Sequence, residues 1–137
     1  MNYEKVYFAC SIRGGGDKSR YPALIEAIQE NATLLTEVFV ADGLRPEGGP
    51  LPPRDIWQRD MAWVTEADLI IAEVSNPSLG VGYEIAKAEE MGKPILALYC
   101  GEKALSAMIA GSERVQVVDY RQTDEAVTAI TNFISTS

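Results

Sequence analysis

The sequence predicts an α/β fold of three layers, in which a five-stranded parallel sheet is covered by helices on both faces. Two observations carry this. Short apolar runs alternate about five times with segments of helical spacing, the pattern of a chain that crosses over between parallel strands. The clearest of those runs, Leu69–Val74, is nearly all apolar, as a strand buried on both faces should be.

In chain order, Val6–Ala9 reads as the first strand. It runs into Ser11-Ile12-Arg13-Gly14-Gly15-Gly16, a loop that cannot continue a strand. Tyr21–Glu30 has helical spacing, with Pro22 suited to a first turn. Leu34–Val40 is the second strand. Asp42–Pro53 is rich in Gly and Pro and reads as a surface loop. Arg54–Ala67 is helical, with Ile56, Trp57, Met61 and Val64 available to one broad face. After the third strand, Val81–Met91 is helical until Gly92 and Pro94 stop it. Ile95–Tyr99 is the fourth strand, Ala104–Ala110 a short helix, Val115–Val118 the fifth strand, and Glu125–Ile134 a closing amphipathic helix. Such Rossmann-like or flavodoxin-like sheets bind ligands at the carboxyl ends of their strands, near the topological switch point. The loops after strands one and three are therefore the first places to look.

The bulk properties narrow the chemistry. A chain of 137 residues fits one domain, residues 1–137, and needs no disulfide or metal staple. The net charge of −8 argues against binding of DNA or RNA polymers, though not against one phosphate in a local pocket. There is no histidine, so Ser-His-Asp triads and histidine-based zinc sites are out. Cys10 and Cys100 read as reduced thiols. No apolar stretch reaches membrane-spanning length, and Glu4 and Lys5 interrupt any secretory core near the start. The expected location is the cytoplasm.

Two loops could carry chemistry. In the first, glycines let backbone N–H groups approach a ligand, while Ser11 and Arg13 offer a hydroxyl and a cationic fork. That set suits an oxyanion such as phosphate; a flexible glycine turn with a solvated Arg is the alternative. In the second, Asn76-Pro77-Ser78-Leu79-Gly80-Val81-Gly82-Tyr83-Glu84 leaves a buried strand and enters a helix. Ser78 and the N–H groups around Gly80 could cap the helix or bind an anion. Glu84 follows within the first turns, where the helix dipole should keep a carboxylate ionised, as a nucleophile, a cation stabiliser, or merely a support for the helix start. Asp60, beside Trp57 and Met61, is the best second carboxylate unless it simply faces solvent. Tyr7 is within reach of the Gly loop, as a hydrogen-bond donor or an ordinary packing residue. Ser106 and Met108 lie in a short apolar helix that reads as packing or a subunit contact. Cys10, with no histidine partner, fits a small packing thiol.

Taken together, these segments resemble one family. Val6-Tyr7-Phe8-Ala9-Cys10-Ser11-Ile12-Arg13-Gly14-Gly15 is similar to the start of the 2′-deoxynucleoside 5′-phosphate N-hydrolases. The match continues through Asp60 with Trp63, Ala72-Glu73-Val74, Pro77 to Glu84, Leu105-Ser106-Ala107-Met108-Ile109 and Val115-Gln116-Val117 with Asp119-Tyr120. It covers most of the chain in order. The resemblance implies a Rossmann-like domain related to nucleoside 2-deoxyribosyltransferases, releasing a free base and 2-deoxyribose 5-phosphate with no metal or organic cofactor. It implies that Glu84 attacks C1′, Asp60 helps protonate the leaving base, and Tyr7 orients Glu84. Ser11, Ile12, Arg13, Gly14, Gly15, Ser78 and Gly80 would surround the 5′-phosphate. Ser106 would be donated across a homodimer interface, with Met108 near the same boundary. One departure is Ala9-Cys10, which stands where members of that family carry Cys-Gly. The alternatives are a deoxyribosyltransferase, a ribonucleotide (CMP-type) N-hydrolase, or a nucleotide-binding module without catalysis.

Overall fold

The computed structural model describes residues 4–12, 17–36, 52–101 and 104–137. Among them the elements run β1 (Lys5–Ala9), α1 (Tyr21–Asn31), β2 (Thr33–Leu34), α2 (Pro53–Glu66), β3 (Leu69–Glu73), α3 (Leu79–Glu90), β4 (Ile95–Tyr99), α4 (Ala107–Ala110), β5 (Val115–Asp119) and α5 (Thr123–Ser135). The strands form one sheet in the order β2-β1-β3-β4-β5, and every pairing is parallel. β1 sends its connection toward β2 on one side, and β3 sends its own toward β4 on the other. The switch point therefore lies between β1 and β3, where the sequence places it.

Period-two alternation in the strands sorts the core into two layers. Val6 and Phe8 of β1, Leu69 and Ile71 of β3, and Leu96 and Leu98 of β4 pack under α1 and α5. On the opposite face Tyr7, Ala9, Ile70, Ala72, Ile95 and Ala97 pack under α2, α3 and α4. Each of the large side chains so buried contributes roughly 1.5–3 kcal/mol of transfer free energy. On that second face the register sets Ala9, Ala72 and Ala97 side by side near the carboxyl edge. Three short side chains in a row leave space there.

Caps explain where the helices start. Ser78 accepts a hydrogen bond from the Val81 N–H at 3.3 Å, so α3 begins at Leu79, two residues before its apolar periodicity does. Ser106 does the same for Met108, which delays α4 to Ala107 although the sequence predicts Ala104. Gln122 and Glu125 form a reciprocal capping box that starts α5 at Thr123. α2 begins with Pro53 at its first turn. Among the described residues β2 pairs through Thr33 and Leu34; Leu35 and Thr36 of the expected strand form a turn, and Glu37–Val40 with most of the Gly/Pro loop lie outside the described residues. No helix among the described residues is long and apolar enough to cross a membrane.

β3 ends on Glu73, which turns toward α1 and α5 and is buried. The Tyr120 hydroxyl donates to its Oε2, and the Ser75 N–H donates to its Oε1 at 2.6 Å. The Arg20 guanidinium lies over the Tyr120 ring, 5.7 Å from its centre.

Candidate active site

Tyr7 occupies the middle of β1 and points to the α2/α3 side of the sheet, where it is buried. Its hydroxyl donates to Glu84 Oε2. Glu84 reaches that position from the second turn of α3, because Ser78 fixes the start of the helix beside the end of β3. Asp60 comes from α2, and Arg59 Nε donates to its Oδ1 at 3.0 Å. Tyr7, Ser11, Ile12, Asp60, Ser78, Gly80 and Glu84 line one cavity of about 490 Å³, together with Ala9 and Cys10. Seven of the residues marked by the sequence thus share one space.

The two loops are tied together beside it. Asn76, just after β3, donates through Nδ2 to the Asp17 carbonyl at 3.0 Å and to the Tyr21 hydroxyl at 3.2 Å. Lys18 donates to the Ile12 carbonyl at 2.6 Å. Arg13, Gly14 and Gly15, expected at the phosphate, lie outside the described residues.

Burial pushes the Glu84 carboxyl up to about 7; the Tyr7 hydrogen bond opposes the shift, Asp60 adds to it and Arg59 reduces it. This corrects the expectation that the helix dipole keeps Glu84 ionised. The dipole acts mainly over the first turn, whereas Glu84 sits in the second and is partly withdrawn from water. Burial also raises the Asp60 carboxyl, against the hydrogen bond and charge of Arg59. Tyr7 is held well above its ordinary value, first by burial and then by Glu84, so it remains a proton donor in the hydrogen bond. Burial, then the charges of Glu84 and Glu73, push the Cys10 thiol up to about 12. A protonated, buried thiol fits the packing role and not a nucleophile.

Ser106 and Met108 lie elsewhere. They line a second groove, about 560 Å³, between α3 and α4, which shares Ser78 and Leu79 with the first cavity. Met108 is 84% exposed and Leu79 97%. A third groove, about 540 Å³, opens between α2 and α3 and also reaches Asp60 and Glu84. Its outer wall is Trp57 and Tyr83, joined by a hydrogen bond from the indole Nε1 to the phenol oxygen at 3.2 Å. Sequence reasoning gave Trp57 to the apolar face of α2, yet it is half exposed. It also missed Arg59 and Ile56 as lining residues. The only signal for Arg59 was its place next to Asp60. Among the described residues no group of three or more His, Cys, Asp or Glu is placed to hold a metal ion.

Paired carboxylates of unlike surroundings, one held by a phenol and one by a guanidinium, can divide the work of nucleophile and acid. The buried Ser11 and the start of α3, which line the same cavity, can offer donors to an anion.

Known proteins match this chain in family and in fold. The family model for nucleoside 2-deoxyribosyltransferase matches residues 6–126. A 5-hydroxymethyl-dUMP N-hydrolase of Mus musculus is 42% identical over 125 residues, covering 85% of this chain and 72% of that protein. One of Danio rerio is 39% identical over 138 residues, covering 96% of each. The solved structure of a CMP N-glycosidase from Clostridium botulinum has the same fold, with a TM-score of 0.68 at 23% identity over 93% of this chain and 98% of that one.

Proposed function

The chain belongs to the nucleoside 2-deoxyribosyltransferase family, and from that premise we propose that it hydrolyses the N-glycosidic bond of 2′-deoxynucleoside 5′-monophosphates. The products are the free base and 2-deoxyribose 5-phosphate. The observation that carries this reading is Glu84, held by the Tyr7 hydroxyl in the same cavity as Asp60. The N-hydrolase relatives at about 40% identity support the substrate class.

Breaking the bond from C1′ to the base leaves positive charge on the sugar, and the departing base nitrogen takes the electron pair. Ionised Glu84 meets that charge and forms an ester to C1′. Protonated Asp60 gives its proton to the base. A water then attacks C1′; Asp60 takes its proton, and Glu84 leaves as carboxylate. A 2-deoxy sugar lacks the electron-withdrawing 2′-hydroxyl, so it ionises readily and two carboxylates suffice. Tyr7 fixes the Glu84 oxygen that does not attack. Ser11, Ile12, Ser78 and Gly80, with Arg13, Gly14 and Gly15, hold the 5′-phosphate, whose binding energy places C1′ over Glu84. The base then points away from them, toward Trp57 and Tyr83. Ser106 reaches the site of a second subunit, with Met108 at the same boundary, so the working form is a homodimer.

Chromatography of a panel of dNMPs, NMPs and unphosphorylated deoxynucleosides, scored for free base, tests the proposal. Release from dNMPs, at least tenfold slower without the phosphate, is the expected result. Equal rates with and without phosphate remove the Ser11 and Ser78 assignment. Because the matching family model is named for a transferase, an acceptor base is added in one arm. Formation there of a new nucleotide from a dNMP, or of a new nucleoside from an unphosphorylated donor, in place of hydrolysis, establishes transfer.

A further inference from the structure

Arg59 is a cation set among acids. Consecutive helix residues do not normally face one another, yet Arg59 Nε lies 3.0 Å from Asp60 Oδ1. Its guanidinium also lies over the Trp63 ring one turn on, 4.9 Å from the ring centre. The two side chains of this ion pair keep only 19% and 16% of their exposure. Arg59 and Asp60 line the cavity together with Tyr7 and Glu84. An aromatic face on one side and a carboxylate on the other restrict a long side chain that would otherwise sample many rotamers.

We propose that Arg59 is a positioning residue of this site: clamped between Trp63 and Asp60, it fixes which Asp60 oxygen carries the proton and lends its charge to keep Glu84 nucleophilic. This rests on the hydrolase reading above. The orientation follows from valence. Oδ1 accepts from a guanidinium, so a proton there would set two positive partners against each other; the acid proton belongs on Oδ2. The charge effect follows from the neighbours. The groups that act on Glu84 are Tyr7 from β1 and Asp60 and Arg59 from α2, while Cys10, after β1, is itself raised by Glu84. Arg59 is the cation of that set. It works against the burial that raises both carboxyls.

The test is Arg59→Gln beside Arg59→Lys. In the free proteins, ¹³C NMR of the side-chain carboxyls follows Glu84 and Asp60 through pH. In turnover, the acidic limb of kcat/KM reports the same ionisation of free enzyme. Arg59→Gln is expected to move the Glu84 midpoint and the acidic limb upward together, by about one pH unit, and to lower kcat on the plateau. Arg59→Lys, which keeps the charge and loses the planar fork, is expected to restore the limb but not kcat. A midpoint and limb that stay in place in Arg59→Gln overturn the proposal. So does a rise in KM confined to phosphorylated substrates with the limb unmoved, which would make Arg59 a direct anion contact. If the unmodified protein releases no base from any nucleotide, the hydrolase reading fails, and the NMR titration still decides the part played by Arg59.

Discussion

In the proposed reaction Glu84 needs two things that conflict: contact with a sugar away from water, and a negative charge. Its surroundings settle at about 7 against an ordinary 4.5, with burial as the largest cause. Below pH ~4.5 folded and unfolded chains both carry the proton. Between 4.5 and 7 the unfolded chain releases it first, so stability falls as the pH rises through that window. Above it the cost is complete, on the order of 2–3 kcal/mol for a partly buried carboxyl. Glu84→Gln is therefore expected to abolish base release while raising the melting temperature at pH 8 and leaving it nearly unchanged at pH 4. Thermal scans at the two pH values, run with the chromatographic assay, check both. Turnover retained above a thousandth of the original rate would remove Glu84 from the nucleophile's role. The sequence made Glu84 legible at the ligand-binding edge of the sheet, Tyr7 near the Gly loop, and Asp60 as a second carboxylate beside Trp57 and Met61. It could not show proton affinity, because that depends on how far α3 carries Glu84 out of water and on Tyr7, 77 residues away along the chain.

At the level of elements, α3 is the organiser. Ser78 sets its start, and Gly92 with φ 74° closes its end. An added Cβ at Gly92 has room, its nearest neighbour being the Arg114 guanidinium at 3.7 Å. The cost of Gly92→Ala is thus conformational, about 1 kcal/mol, readable as a lower urea midpoint with an unchanged slope. α2 faces α3 across the third groove, and Trp57→Ala tests whether the base lies there. The expected result is a several-fold higher KM for dNMPs with unchanged inhibition by 2-deoxyribose 5-phosphate, which has no base to lose contact. Equal weakening of both would place Trp57 elsewhere. The strands and helices were readable from period and punctuation, since Leu69–Glu73 is buried throughout and Gly92 does end α3. Boundaries were missed at Ser78, Ser106 and Gln122, where a side-chain cap decides the first turn. Trp57 was misplaced because helical period ranks faces without saying which stretch of a face has a neighbour. It is half exposed while Val64, two turns on, is fully buried.

Over the whole molecule, the doubly wound sheet puts β1 and β3 side by side, so both loops meet at one edge and the cavity proposed as the active site follows from topology. The groove between α3 and α4 follows from it too, since Ser78 and Leu79 belong to both. Its apolar rim, with Met108 and Leu79 facing solvent, matches the surface that a second copy would cover in the proposed homodimer. Met108→Glu is expected to convert the sedimenting species to monomer and to lower activity on dilution. Mixing Ser106→Ala with Glu84→Gln should restore part of the activity, because a mixed dimer holds one intact site. Unchanged sedimentation, or no recovery despite subunit exchange, would place Ser106 outside the site.

A phenol bound to a carboxylate occurs on both faces of this sheet. Tyr7 holds Glu84 on one face, and Tyr120 holds Glu73 on the other. The pairs share their chemistry and differ in what surrounds them: Glu84 borders two open spaces, whereas Glu73 is 1% exposed and Tyr120 fully enclosed. The molecule thus carries its own internal control. A small carboxyl-directed reagent, such as a water-soluble carbodiimide with an amine, should label Glu84 and spare Glu73, and a nucleotide in the cavity should slow that labelling. The distinction between the two glutamates then becomes one of accessibility to reagents rather than of intrinsic reactivity.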